Sequence, residues 1–201
     1  MLYIFDLGNV IVDIDFKRAL GVWSHLSGVP LALLQHRFTF DEAFEQHERG
    51  ELTDQQFAAS LCKMLEINLS YAQFAAGWEA VFVDVRNEVV AQMNALRAQG
   101  HRVVILSNTN NQHCEFWPKH YPQVTDAADA IYLSQQMQMR KPEAQIYEAV
   151  LRKEGVTAQE AVFFDDNPQN IEAAQRLGIN SVLVTGPETL REWFSDRAAA
   201  H

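Results

Sequence analysis

An α/β architecture is predicted, with a parallel sheet covered by helices and a helical insert after the first strand. Three features of the 201-residue chain predict it. From residue 86 onward, short apolar runs alternate with amphipathic helical patterns. The runs end on polar or acidic residues. Between residues 15 and 85 the pattern is helical throughout, and no strand pattern interrupts it. Strands separated by helices form parallel sheets, because a parallel pair needs a crossover of a dozen or more residues.

Each element has a local signal. The chain opens on "LYIFDLGNVIVD", an apolar run read as a buried strand that stops at Asp6-Leu7-Gly8. Pro30 and its neighbouring turn residues break one helix of the insert from the next. "FDEAFEQHERG" stops at Gly50, which suits the left-handed turn that closes a helix. Thr53 with Gln56, and Ser70 with Gln73, are capping-box pairs that start two further helices. "RNEVVAQMNALRAQG" is an amphipathic helix closed by Gly100, and "HRVVILSNTN" is a strand with a polar end. A helix follows, then a weaker strand, "AIYLS". "KPEAQIYEAVLRKEG" is a helix with Pro142 near its start and Gly155 at its end. "AVFFDDN" is a strand, "NPQNIEAAQRLG" a helix, "INSVLV" a strand and "GPETLREWFSDRAAA" a last helix.

Composition narrows the function. Apolar residues make up 48% of the chain, enough for a substantial core. The formal net charge is −10 and the isoelectric point about 5.1. An acidic chain without a Lys/Arg-rich run repels nucleic acid and anionic membranes, so neither is an expected partner. No apolar run approaches the roughly 20 residues that span a bilayer. The opening segment has no basic flank and meets an acid at position 6, so no signal peptide and a cytoplasmic location are expected. Cys62 and Cys114 lack metal-ligand spacing and read as buried or idle thiols. A monomer or weak dimer is expected.

In open parallel sheets, ligands bind outside the carboxyl ends of the strands. Those ends carry Asp6, then Ser107, Asn108 and Thr109, then Lys141 after a short loop, then Asp165 and Asp166. Singly, each has a mundane explanation as a cap, a turn or a solvated loop residue. Together, on one edge, they make a reaction centre. Asp6 is the candidate nucleophile, because a carboxylate can attack phosphorus and form an aspartyl-phosphate. Three aspartates concentrate negative charge, and at ~4 Å with an effective dielectric near 20 each like-charged contact costs about 4 kcal/mol. A hard divalent cation such as Mg2+ resolves that conflict, since it takes a few carboxylates together with substrate oxygens. Lys141 adds positive charge, and Ser107 with the amides after it can hold phosphate oxygens.

These residues resemble the four motifs of the haloacid dehalogenase-like hydrolases, and the resemblance extends over the whole chain. "FDLGNV", "HERGE", "LSNTN", "RKPE" and "FFDDN" are similar to the branch that includes a bacterial alpha-D-glucose-1-phosphate phosphatase. The resemblance implies a Rossmann-like core at residues 1–14 and 86–201 and a helical cap at 15–85. It implies Mg2+ as cofactor and a small sugar phosphate as substrate. Asp6, the Gly8 carbonyl and Asp166 would bind the metal, with Asp165 supporting the metal shell. Leu7, Gly8, Ser107, Asn108, Thr109 and Lys141 would surround the substrate phosphate, with Asn170 nearby.

Gly8 departs from the family pattern. Most phosphatases of the family place a second Asp there, which protonates the leaving oxygen and later activates water. A backbone carbonyl can still meet a metal without a side chain, but the acid/base is missing. A sugar 1-phosphate tolerates this, because its hemiacetal oxygen is less basic than an ordinary alcohol oxygen. A 2-haloacid dehalogenase using Asp6 without metal stays open, since halide needs no protonation. So does a catalytically silent module that binds phospho-ligands. The acid pair of "FFDDN" favours the phosphatase, because a metal-free site gains nothing from the extra charge.

In the insert, Glu48 and Arg49 can meet sugar hydroxyls from "QHERGELT", although a solvated helix end is the expectation for each. His47 is expected at the surface or in packing. Trp117 is expected in packing rather than at the site edge.

Overall fold

The computed structural model describes residues 1–200. In chain order the elements are β1 (Leu2–Phe5), β2 (Val12–Ile14), α1 (Phe16–Ser27), α2 (Leu31–Arg37), α3 (Glu42–Glu48), α4 (Asp54–Leu65) and α5 (Tyr71–Glu79). Then come β3 (Phe82–Val85), α6 (Asn87–Ala98), β4 (Arg102–Ser107), α7 (Asn111–His120), α8 (Pro122–Asp126), β5 (Ala130–Leu133) and α9 (Ser134–Met137). The chain closes with α10 (Ala144–Glu154), β6 (Ala161–Asp165), α11 (Pro168–Arg176), β7 (Asn180–Leu183) and α12 (Pro187–Ala199).

Five strands form one sheet in the order β5-β4-β1-β6-β7, and every pairing in it is parallel. β1 is central, with Phe5 opposite Ile105 and Phe164. Both faces are buried, and the two-residue period of a strand assigns the faces. Leu2, Ile4, Val104, Leu106 and Phe163 pack on one side against Ile146, Tyr147 and Val150 of α10. Tyr3, Phe5, Val103, Ile105 and Phe164 face the other side, and their apolar cluster runs on into Trp23, Phe57, Phe74 and Trp78 of the insert. The expected α/β sheet with its helical insert is present.

The two capping boxes form as the sequence predicts, at Thr53/Gln56 and Ser70/Gln73. The reading of residues 15–85 as helical throughout is corrected at its end. Phe82–Val85 is a strand, and it pairs antiparallel with Val12–Ile14. This two-stranded ribbon carries the chain out of the sheet and back, so the insert is attached through paired backbone rather than loose loops. Among the described residues no helix is long and apolar enough to cross a membrane.

Candidate active site

The turn after β1 is built to present Asp6. The Asp6 N–H donates to the Phe164 carbonyl at 2.9 Å, which prolongs the strand by one residue. The chain then folds tightly, and the Leu7 carbonyl accepts from the N–H groups of Val10, Ile11 and Val12. Asn9 sits at φ 58°, a left-handed conformation that Asn tolerates, and its Oδ1 accepts from the Ile14 N–H at 3.1 Å. Among the described residues, the N–H groups of Leu7 and Gly8 and the Gly8 carbonyl have no protein partner.

Lys141 comes from the loop between α9 and α10 and is 1% exposed. Its Nζ donates to Asp6 Oδ1 at 2.8 Å, to Asp165 Oδ2 at 2.7 Å and to the Leu106 carbonyl at 2.9 Å. All three ammonium protons are therefore placed, as a buried cation requires. Asn108 holds that loop from the sheet edge: its Nδ2 donates to the Lys141 carbonyl and its Oδ1 accepts from the Lys141 N–H, both at 2.8 Å. Asp165 is completely buried and also accepts from the Asn167 N–H at 2.8 Å and from Asn170 Nδ2 at 3.1 Å.

Asp6, Asp165 and Asp166 bring carboxylate oxygens within 4.8 Å of one another. Burial holds the Asp6 carboxyl well above its ordinary pKa, Asp165 and Asp166 push the same way, and Lys141 opposes them. Asp166 is raised too, by burial and then by Asp165. Burial pulls Lys141 down, but Asp165 and Asp6 outweigh it and keep the ammonium charged. The ammonium pairs with Asp6 and Asp165, and among the described residues Asp166 is left without a cation of its own. The donor set is all carboxylate oxygen and short of positive charge, which suits a hard divalent ion.

A cleft of about 440 Å³ opens over this cluster, between Asp6, Ser107, Asn108 and Asp166 of the core and Phe40, Phe44 and Glu48 of the insert. Behind it lies a smaller chamber of about 80 Å³, walled by Phe16, Phe44, Trp78, Val81 and Phe82, which meets the cleft at Gly8 and Ser107. The missing acid has a structural correlate. A Cβ built on Gly8 would stand 2.7 Å from Ile14 Cδ1, so an apolar side chain from β2 fills the space where a second carboxylate would begin.

The strand-end residues are thus brought together, with differences in detail. Asp165 is tied to Lys141 and to the loop that opens α11, so its tightest contacts hold the cluster in place. Thr109 borders the inner chamber rather than the cleft, and Ser134 holds its backbone: its N–H donates to Ser134 Oγ at 2.9 Å and its carbonyl accepts from that hydroxyl at 3.1 Å. Leu7 is buried and borders the inner chamber. His47 is buried, stacked on Phe57 at 4.1 Å and hydrogen-bonded to Asp54 at 2.8 Å. Trp117 is core. Glu48 and Arg49 correct the expectation of a solvated helix end, because both reach the core: Glu48 pairs with Arg140 at 2.8 Å and Arg49 with Glu143 at 2.6 Å. Arg140 and Ile14 line the cleft and had no role in the sequence reading.

Residues 1–178 match the haloacid dehalogenase-like hydrolase family. The chain belongs to the haloacid dehalogenase-like hydrolases. Among its relatives is a D-ribitol-5-phosphate phosphatase of Bacteroides thetaiotaomicron, 28% identical over 196 residues that span 94% of this hydrolase and 93% of that protein. A solved structure of a family enzyme from the same organism, in complex with magnesium and inorganic phosphate, superposes with a TM-score of 0.79 at 30% identity, covering 90% of this chain and 92% of that one. The L-2-haloacid dehalogenase of Xanthobacter autotrophicus shares the fold at 16% identity and a TM-score of 0.66, covering 90% of this hydrolase and 76% of that chain.

Proposed function

We propose that this hydrolase is a Mg2+-dependent phosphatase of small sugar phosphates, with alpha-D-glucose 1-phosphate as the preferred substrate. One observation carries the reading: the oxygens of Asp6, Asp165 and Asp166 converge within 4.8 Å while a single buried ammonium faces them. A metal-free dehalogenase has no use for that excess of carboxylate. The magnesium and phosphate held by the related Bacteroides enzyme, and the sugar-alcohol phosphate named for the D-ribitol-5-phosphate phosphatase, support the same reading.

Bound Mg2+ supplies the positive charge that lets phosphoryl oxygens lie among carboxylates. The chain does the rest. Lys141 fixes Asp6 Oδ1, so the other Asp6 oxygen is the attacking atom, and an Asp6–phosphorus bond replaces the bond to the leaving oxygen. The Ser107 hydroxyl and the N–H groups of Leu7, Gly8 and Asn108 receive the phosphoryl oxygens. Asp165 and Asn108 hold Lys141 from two sides. The leaving oxygen takes a proton from solvent water; a second water then attacks phosphorus and gives its proton to solvent, the Asp6–phosphorus bond breaks, inorganic phosphate leaves and Asp6 returns to its carboxylate. With glycine at position 8 and Ile14 packed against it, no acid stands there to protonate the leaving oxygen, and this favours the less basic oxygen of a sugar 1-phosphate.

The test is a panel of hexose 1-phosphates, hexose 6-phosphates, pentitol 5-phosphates and 2-haloacids, each with Mg2+ and with chelator. We expect Mg2+-dependent phosphate release that is greatest for the 1-phosphates. Halide release that survives chelator would establish the dehalogenase instead, and no turnover at all would leave a binding module. Asp6→Asn should lower turnover at least about 10³-fold without unfolding the protein; retained activity would mean another residue is the nucleophile.

A further inference from the structure

Two tetrapeptides stand out in the sequence beyond the reacting groups: His47-Glu48-Arg49-Gly50 in the insert and Arg140-Lys141-Pro142-Glu143 in the core. They interlock. Arg140 Nε lies 2.8 Å from Glu48 Oε2, and Arg49 Nε lies 2.6 Å from Glu143 Oε1. Glu45, one turn earlier on α3, joins the two pairs, 3.6 Å from Arg140 and 3.5 Å from Arg49. The insert reads acid–base and the core base–acid, so only one register brings opposite charges together. Each of the four paired side chains is 20–25% exposed, which shields the pairs from solvent more than open surface pairs.

The backbone fits the same register. Gly50 has a φ of 75°, and a Cβ there would come within 2.6 Å of the Gln135 carbonyl oxygen of α9. The turn of the insert therefore rests directly on the core, and glycine permits the approach. On the core side, the Glu143 N–H donates to the Arg140 carbonyl at 2.9 Å, closing a tight turn around Lys141-Pro142. Lys141 stands between the two paired residues, with its own backbone held by Asn108.

We propose that this interlock is a clasp that couples the seating of the cap to the placement of Lys141. Glu48, Arg49, Arg140 and Glu143 act as positioning residues, and the site is complete only when the cap turn is seated. The proposal rests on the phosphatase reading for its kinetic test and on the clasp geometry alone for its structural one.

The outer pair gives the cleaner experiment, because neither Arg49 nor Glu143 borders the cleft. Arg49→Glu and Glu143→Arg, alone and combined, are assayed for kcat and KM on hexose 1-phosphates at saturating Mg2+. Exchange of the Lys141 amide and the melting temperature are measured on the same proteins without substrate. Each single variant should lower kcat about ten- to a hundredfold, the loss expected when a reacting group is misplaced by about 1 Å, with KM moving much less. Each should also speed exchange of the Lys141 amide. The double variant, which restores opposite charges, should recover most of both. Single variants like the wild type in kcat and exchange, or a double variant no better than the singles, would overturn the clasp. If a reversal prevents folding, Arg49→Gln and Glu143→Gln replace it, with losses in the same direction but smaller, about two- to fivefold in kcat, because a neutral side chain removes the pair without adding repulsion, and wild-type values overturning the proposal. A wild-type protein that hydrolyses no phosphate would defeat the phosphatase reading, while amide exchange would still decide on the clasp.

Discussion

Where α5 of the cap meets α7 of the core, the seam is aromatic and uncharged; where the turn after α3 meets the loop before α10, it is ionic. At the first seam Trp78 stacks on His113 at 4.6 Å and Phe82 on Phe116 at 5.2 Å. His113 Nε2 donates to the Trp78 carbonyl at 2.9 Å, and Nδ1 accepts from Asn110 Nδ2 at 3.3 Å, so the ring is neutral with both nitrogens paired. Burial holds its pKa down at about 4. At the second seam every strong contact is a charge pair. The aromatic seam gains from excluding water and is nearly indifferent to salt. The ionic seam gains little net stability, because its charges give up hydration to meet. On the clasp proposal, one seam is the anchor of the cap and the other its releasable edge.

The largest predicted effect tests the anchor. Trp78→Ala removes a ring that also packs against Trp23, Phe57 and Phe74, and should cost about 3–5 kcal/mol in chemical denaturation. A loss below about 1 kcal/mol would break the comparison. Acid gives the next effect. The folded pKa of His113 lies below its unfolded value, so the unfolded chain binds more protons between about 4 and 6.5. The contribution of His113 is fully present above about pH 6.5 and is lost as pH falls toward 4, amounting to about 3 kcal/mol. In His113→Gln the stability-against-pH curve should flatten over that window; an unchanged curve would place the acid sensitivity elsewhere.

The reaction centre was far more legible in the sequence than the ionic edge. Asp6, Ser107 and Asp165 each end an apolar run, so strand periodicity alone predicts that they share an edge. Thr53 and Ser70 announce their helices because a capping box is a contact three residues long. β3 was missed because Phe82–Val85 is short, exposes Val83 and Asp84, and pairs with a strand some 70 residues away. The charges of Glu48 and Arg49 were visible, but their partners lie 92 and 94 residues further on, and a sequence read locally offers only solvent as the alternative. For the two acids of "FFDDN", the family resemblance assigns Asp166 to the metal and Asp165 to its support, but names no partner for either. Only the fold shows that Asp165 points inward to Lys141 while Asp166 remains partly open.

The smallest effect separates the two seams most directly. Raising ionic strength from about 0.1 M to about 1 M shortens the Debye length from about 10 Å to about 3 Å. Charges that are a fifth to a quarter exposed feel that change, whereas the Trp78–His113 contact does not. Stability should move by less than about 1 kcal/mol, because partly exposed pairs contribute little to it. Turnover and the exchange rate of the Lys141 amide should respond more, since both read the seating of the cap rather than the fold. Salt also weakens the attraction between a charged substrate and its site, so the informative quantity is a difference. Arg49→Gln/Glu143→Gln lacks the outer pair and should show a shallower dependence of kcat on salt than the wild type. Parallel salt curves for the two proteins would mean that the ionic edge has no hold on Lys141, and the cap would then be seated by its aromatic anchor alone.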